Sequence, residues 1–456
     1  MGFRPQQKKS LLEQEHIVII GNGIAGVTAA RHIRKNSDKR ITIISAEAEH
    51  FFSRTALMYV YMGHMKWNHL KPYEDNFWKK NRIELKQAYV EEIQPENNRL
   101  LFASVETFAY DKLVIATGSK PNKFGWPGQD LPQVQGLYSK QDLEKLEQNA
   151  PNNQVCKHAV IVGGGLIGIE LAEMLSTRNI PVTFLVREES FWHNVLPIEE
   201  SQLLNKHIVE HGIDLRLNTN LRCIEADENG NVKSVILAET GEEIPCNIVG
   251  LTAGVSPNID IVKNSSIETN RGVLVNRNLQ TNIQNIYAIG DCVEQREAIG
   301  NRPFIEAVWY TGRMMGETLA QTLTGNPRSY NPGNWFNSAK FFDIEYQTYG
   351  WVFPKPKDGH SDLYWEHEDA KKCIHIHFET KSRKFLGINT LGIRLRHEVF
   401  DRWLTQEATV DEVIKNLKQA NFDPEFFKKY ENEIFDAYKR LKQDLTGSHE
   451  PRPHRF

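Results

Sequence analysis

The sequence predicts an α/β protein with two parallel-sheet nucleotide-binding units and a C-terminal α+β domain. Three observations carry this expectation. Two glycine-rich turns, Gly21-Asn22-Gly23-Ile24-Ala25-Gly26 and Gly163-Gly164-Gly165-Leu166-Ile167-Gly168, each follow an unbroken apolar run, residues 17–20 and 159–162. Each turn opens a segment of helical periodicity that leads to another apolar run, 41–44 and 181–186. Strand, tight turn, helix and parallel strand in that order make a Rossmann-like unit, and the chain has two. From about residue 335 the pattern gives way to aromatic-rich β-like segments (335–349, 373–378, 385–388) and then to amphipathic helical stretches.

Taken in order, residues 1–15 are polar and read as a loose tail. The first unit follows, with its helix at about 25–34, and further strands are expected at 112–116 and 247–251. The second unit has its helix at about 167–178. After it, 212–215 and 232–239 read as β, with Glu228-Asn229-Gly230 as a hairpin turn. Pro, Gly and Asn punctuate 121–132 and 325–333, where the chain is expected to cross between units. The expected division is therefore 1–121 with 248–329, 122–247, and 330–445. Residues 446–456, with Gly, Pro and His, are expected to be disordered.

A chain of 456 residues exceeds one ordinary core. A formal net charge of −3 gives no electrostatic case for nucleic acid or an anionic membrane as main partner. No apolar run approaches the roughly 20 residues that span a bilayer. The start lacks the apolar core of a secretory signal, and Gln6 breaks the myristoylation pattern, so a cytoplasmic protein is expected. The five cysteines, Cys156, Cys223, Cys246, Cys292 and Cys373, show no paired metal or redox spacing, and no metal site is expected.

A dinucleotide pyrophosphate needs backbone N–H donors at a helix N-terminus with no side chain in the way. Gly21 permits the tight turn, Gly23 the close approach, and Gly26 the packing of helix on strand, with Ala25 beside it. A carboxylate for the ribose is expected about 20 residues on. Glu47 fits, with Glu49 as a competitor.

Further motifs make a resemblance specific. They are Ser45-Ala46-Glu47 followed by Phe52-Ser53-Arg54, the stretch Tyr110 to Pro121 containing Ala116-Thr117-Gly118, and Asn285-Ile286-Tyr287-Ala288-Ile289-Gly290-Asp291-Cys292. In order and spacing they resemble the two-dinucleotide-binding flavoproteins, also called the pyridine nucleotide–disulfide oxidoreductase superfamily. The resemblance implies that the first turn holds FAD. It puts Ala116, Thr117 and Gly118 at the crossover, Gly290 near the flavin phosphates, Asp291 on the ribityl chain and the backbone of Val90 at the adenine. It also implies NADH or NADPH at the second turn, with Gly163, Gly165, Ile167, Gly168 and Gly254 around it and Glu170 near the nicotinamide.

NADH users of this superfamily commonly place an acid after the second strand of the second unit. Here Arg187 stands there, followed by Glu188 and Glu189. An arginine suits a 2′-phosphate, whereas the glutamates repel one, and the balance leans slightly to NADPH. The superfamily's disulfide reductases carry cysteines where this chain has Phe51 to Tyr59, without one, so electrons cannot leave through a thiol. That stretch, with Arg54 and Leu57, instead resembles the rubredoxin and ferredoxin reductases and the NADH-binding part of nitrite reductase.

The expected function is an FAD-dependent NAD(P)H oxidoreductase that passes electrons to an external acceptor, a rubredoxin- or ferredoxin-like protein first among them. A quinone reductase and a slow-turnover NAD(P)H-binding sensor are the alternatives, and a homodimer is compatible with the resemblance. The cluster Trp335, Phe336, Phe341, Phe342, Tyr346, Tyr349 and Trp351 reads either as the core of a small β-domain or as a partner-facing surface. The segment 422–445 is too charged for a membrane-surface helix and is expected to pack on protein.

Overall fold

A computed structural model describes residues 14–446 except 423, 424, 426 and 427. The expected tails therefore lie outside the described residues apart from 14, 15 and 446. Strands buried on both faces must be apolar throughout, and His16–Ile20 is the central strand of such a sheet. Its order is Ile286–Ala288, Lys112–Ile115, His16–Ile20, Arg40–Ser45, Ile83–Gln87, all parallel. The helix Ile24–Asn36 follows the first turn, and Arg34 and Lys35 at its end complement the helix dipole. Across it lies the helix Trp309–Leu323. The two meet so closely that a Cβ on Gly316 would come 2.6 Å from the carbonyl oxygen of Ala25.

The second sheet runs Asp214–Arg216, Val182–Leu185, Ala159–Val162, Ile248–Leu251, Val134–Gln135, again all parallel. This corrects the expected return to the first unit at residue 248. Ile248–Leu251 pairs with Ala159–Val162 and completes the second sheet, because its unbroken apolar face needs two covered sides. The chain crosses instead at an antiparallel ribbon of Ser119–Pro121 with Val255–Pro257. The expected hairpin joins Leu221–Ala226 to Val232–Leu237, and Gly230 takes the positive φ of its turn.

The C-terminal domain is a five-stranded antiparallel sheet, ordered Phe336–Phe341, Ile344–Gly350, Phe385–Leu391, Cys373–Glu379, His360–Glu366. Its last strand, with His360, Ser361 and Asp362 at its start, carries too little apolar signal to be expected from sequence. Helices His397–Thr405, Val410–Lys415 and Glu431–Thr446 accompany the sheet, and Phe400, Val410, Ile434 and Tyr438 are buried with the sheet residue Phe378. The segment expected to pack on protein does so through Ile434 and Tyr438. Of the aromatic cluster, Phe341, Phe342, Tyr346 and Tyr349 are core, and the first three pack against the second unit. Trp335 and Trp351 are half-buried and stack 5.5 Å apart. Among the described residues, no helix is long and apolar enough to cross a membrane.

Candidate functional site

The first glycine turn opens on a cavity of about 670 Å³. Gly21, Gly23, Ala25, Glu47, Arg54, Val90, Ala116, Thr117, Gly118, Gly290 and Asp291 all line it. Gly26 lies behind the turn, where a Cβ would come 2.1 Å from the Gly21 carbonyl oxygen. Gly21 has φ +114°, and its Cβ would meet the Ala116 oxygen at 2.1 Å, so only glycine lets the turn sit on the neighbouring strand. Gly23 differs: a Cβ there meets nothing within 4 Å. Its surface faces open space at the N-terminus of the helix, the place an anion would take.

Glu47 lies two residues past the end of the strand Arg40–Ser45 and lines the cavity. Its Oε2 accepts from Arg54 Nη2 at 2.6 Å, and its Oε1 from Arg54 Nη1 at 3.0 Å and from the Lys140 amide at 2.9 Å. Oε2 keeps a free acceptor site for a hydroxyl. Glu49, the competitor, is exposed, lies beside His50 and does not line the cavity. Arg54 also donates to the Tyr138 carbonyl, and its guanidinium lies 4.5 Å over the Tyr138 ring. Asp291 has its carboxyl pushed above the usual range by burial, and Ser119 Oγ is 3.3 Å from its Oδ2. A half-satisfied carboxylate in a cavity gains by accepting from hydroxyl groups. A long cavity with an open helix N-terminus, a rim carboxylate and an inner carboxylate fits FAD.

Sequence reasoning missed several cavity residues. Asn22 sits within the turn and donates to the Ala48 carbonyl at 2.7 Å. Ser119, Tyr138, Gln141 and Trp309 also line the cavity. Tyr138 and Gln141 come from the stretch expected to belong wholly to the second unit. Their contribution depends on how the two sheets pack, which no local motif encodes.

The second turn repeats the first. A Cβ on Gly163 would lie 2.7 Å from Thr252 backbone atoms, one on Gly168 2.5 Å from the Gly163 oxygen, and one on Gly165 meets nothing within 4 Å. Ile167 and Gly168 open the helix Leu166–Thr177, and Gly254 follows the last strand of the sheet. Glu170, in that helix, has its carboxyl raised to about 7 by burial and then by the charge of Glu173. Glu173 in turn pairs with Lys340 of the C-terminal sheet at 2.9 Å. Arg187 is 73% exposed, and its Nη2 lies 2.8 Å from Glu188 Oε1, which Asn194 also reaches.

Comparison with known proteins agrees with this geometry. The sequence profile of the family described as pyridine nucleotide-disulphide oxidoreductase matches residues 15–316. The chain belongs to that family. It is 30% identical over 315 residues to a rubredoxin-NAD(+) reductase of Acinetobacter baylyi, covering 68% of this chain and 79% of that protein. An NADH-rubredoxin oxidoreductase of Clostridium acetobutylicum is 29% identical over 321 residues, 70% of this chain and 77% of the other. In fold, the chain is similar to the ferredoxin reductase of the CYP199A2 system from Rhodopseudomonas palustris, with TM-score 0.78, 24% identity, and coverage of 93% of this chain and 99% of that one.

This member of the pyridine nucleotide-disulphide oxidoreductase family is an FAD-dependent NAD(P)H oxidoreductase. FAD held in this cavity would supply the redox chemistry between the nicotinamide and an acceptor. The chain's residues bind and orient. Were FAD bound there, backbone N–H groups at Gly23 would be placed for the pyrophosphate, Asp291 for the inner hydroxyls, and Glu47, held by Arg54, for a hydroxyl at the rim. Among the described residues no cysteine lines the cavity, and all five cysteines are buried and unpaired.

Proposed function

We propose that this flavoprotein transfers electrons from a nicotinamide dinucleotide to a small iron–sulfur or rubredoxin-like protein in the cytoplasm. The observation that carries the reading is a flavin-sized cavity with no cysteine among its described lining residues, in a chain with a second dinucleotide turn. Electrons arriving at the second turn then need an external acceptor. The rubredoxin reductases among the relatives support a single-electron protein carrier in that place. In this reading residues 14–121 with about 252–329 form the flavin unit, to which Tyr138 and Gln141 also contribute, 122 to about 251 form the nicotinamide unit, and the C-terminal domain follows from about 330.

Anaerobic stopped-flow reduction of the flavin-loaded protein, followed by mixing with rubredoxin, a [2Fe–2S] ferredoxin, a quinone and oxygen, tests the assignment. Rapid reoxidation by one of the two redox proteins supports it. A reduced flavin that persists with both of them overturns it.

The slight preference for NADPH rests on the exposed Arg187 guanidinium, which Glu188 now holds and a 2′-phosphate would take over. Arg187→Ala is expected to lower kcat/KM for NADPH by about tenfold or more, the loss of one charge-assisted contact, with NADH little affected. Equal losses with both dinucleotides would sink this preference.

Glu170 lies near the nicotinamide ring in this reading. Its carboxyl ionises as pH rises through about 7, and its negative charge then favours the positive charge that develops on the ring. Flavin reduction is expected to quicken through that pH, and Glu170→Gln to flatten the profile.

A further inference from the structure

We propose that His207, His211 and Asp343 form a site for a divalent transition-metal ion of the zinc class, joining the second unit to the C-terminal sheet. His207 and His211 stand one turn apart at the end of the helix Ile198–Glu210, so their rings share a face. Asp343 occupies the tight turn between the strands Phe336–Phe341 and Ile344–Gly350. The three side chains bring one donor atom each within 4.8 Å of one another. Asp343 Oδ1 is 2.7 Å from His207 Nε2 and 3.5 Å from His211 Nε2. Donors bound to one tetrahedral zinc ion stand about 3.4 Å apart, so small side-chain shifts bring this set to the metal.

The tautomer is already set at one ligand. His211 Nδ1 lies 2.9 Å from the His207 carbonyl oxygen, which can only accept. The proton therefore sits on Nδ1, and Nε2 presents its lone pair toward Asp343. Stacking on Phe342, with centroids 4.2 Å apart and planes at 19°, holds the His211 ring in place. His207 supplies the independent observation. Its side chain is 1% exposed, and its Nε2 is aimed into the cluster at Asp343 Oδ1, 2.7 Å away, while Nδ1 meets no hydrogen-bond partner. With the proton on Nδ1, Nε2 offers a buried lone pair to an ion held between the imidazole and the carboxylate.

Lys371, 3.9 Å from Asp343 Oδ2, engages the oxygen that the histidines do not face. His211 and Asp343 are exposed, which leaves a path for the ion. Two imidazoles and one carboxylate suit zinc, nickel or copper better than magnesium or calcium. An ion that binds only when the two parts are docked stabilises their docking by mass action.

Zinc chloride titration of the flavin-loaded full chain, without an affinity tag, tests the site by calorimetry and by the zinc-dependent rise in Tm. One equivalent is expected to bind and raise Tm. His211→Ala and Asp343→Asn, both at exposed positions, are expected to weaken binding about tenfold or more and abolish the rise, with flavin content unchanged. Cobalt(II) is expected to give ligand-field absorption in the parent chain and none in the double variant. Absence of a one-equivalent site, or equal affinity in parent and variants, overturns the assignment.

Discussion

Gly23→Ala is expected to yield a folded protein that binds its flavin at least about tenfold more weakly. A methyl group there meets no protein atom within 4 Å, and the position has ordinary backbone angles at the start of a helix, so folding loses nothing. The methyl instead occupies the space that backbone donors leave for a phosphate. FAD affinity is expected to fall by at least about tenfold, or 1.4 kcal/mol. Gly21→Ala contrasts with it. The residue sits at φ +114° and its new Cβ would lie 2.1 Å from a backbone oxygen, so neither atom can yield cheaply. Strain and overpacking together cost about 3 kcal/mol or more, which threatens the fold itself. Flavin absorbance per chain and urea unfolding separate the two outcomes. A Gly23→Ala protein that keeps a full complement of tightly bound FAD would place the pyrophosphate elsewhere.

The second large effect lies where the C-terminal sheet meets the second unit. His375 Nδ1 is 3.1 Å from Glu200 Oε1, and its Nε2 is 3.2 Å from Asp362 Oδ2. Glu200 is fully buried and also accepts from Asn389 Nδ2 at 3.0 Å. His375→Ala strips a buried carboxylate of its cation and is expected to cost about 3–5 kcal/mol, read by denaturant unfolding. Glu200→Gln, which keeps the packing without the charge, is expected to cost much less.

Flanking carboxylates raise His375 to about 9 against the pull of burial, and burial raises Glu200. Both groups hold protons more tightly in the folded chain than in the unfolded one. The stability His375 contributes is complete below its unfolded pKa of about 6.5 and is lost as pH rises through about 9. Wild-type stability is thus expected to fall between pH 7 and 9.5, and His375→Ala to flatten that fall. An unchanged slope would show the pair to be uncharged.

Legibility followed the range of the interactions. The two parallel sheets were readable because doubly covered strands must be continuously apolar, and the turns because each glycine answers a local steric demand. The strand His360–Glu366 was not, since its start is polar and its place depends on pairing with Cys373–Glu379. The end of the second sheet at Leu251 was misjudged for a related reason: an apolar run does not say which sheet it joins. Glu47 was readable from its spacing after the first turn. Its partner Arg54 belongs to the same motif, but Lys140 and the Tyr138 ring under Arg54 come from a distant stretch that no motif joins to it. Likewise His207 and His211 show a one-turn spacing in the chain, but Asp343 comes from a distant turn.

By itself the sequence determined the two dinucleotide turns, the absence of a cysteine from the stretch Phe51 to Tyr59 and the departure at Arg187 after the second unit's strand, because these rest on local geometry and residue chemistry. Only the tertiary structure decided which carboxylate faces the cavity, where the chain crosses between sheets and how the C-terminal domain docks through Glu200, His207 and Glu173. Those outcomes depend on contacts between residues far apart in the chain, and burial, which sets their charges and their energies, exists only once the domains have packed.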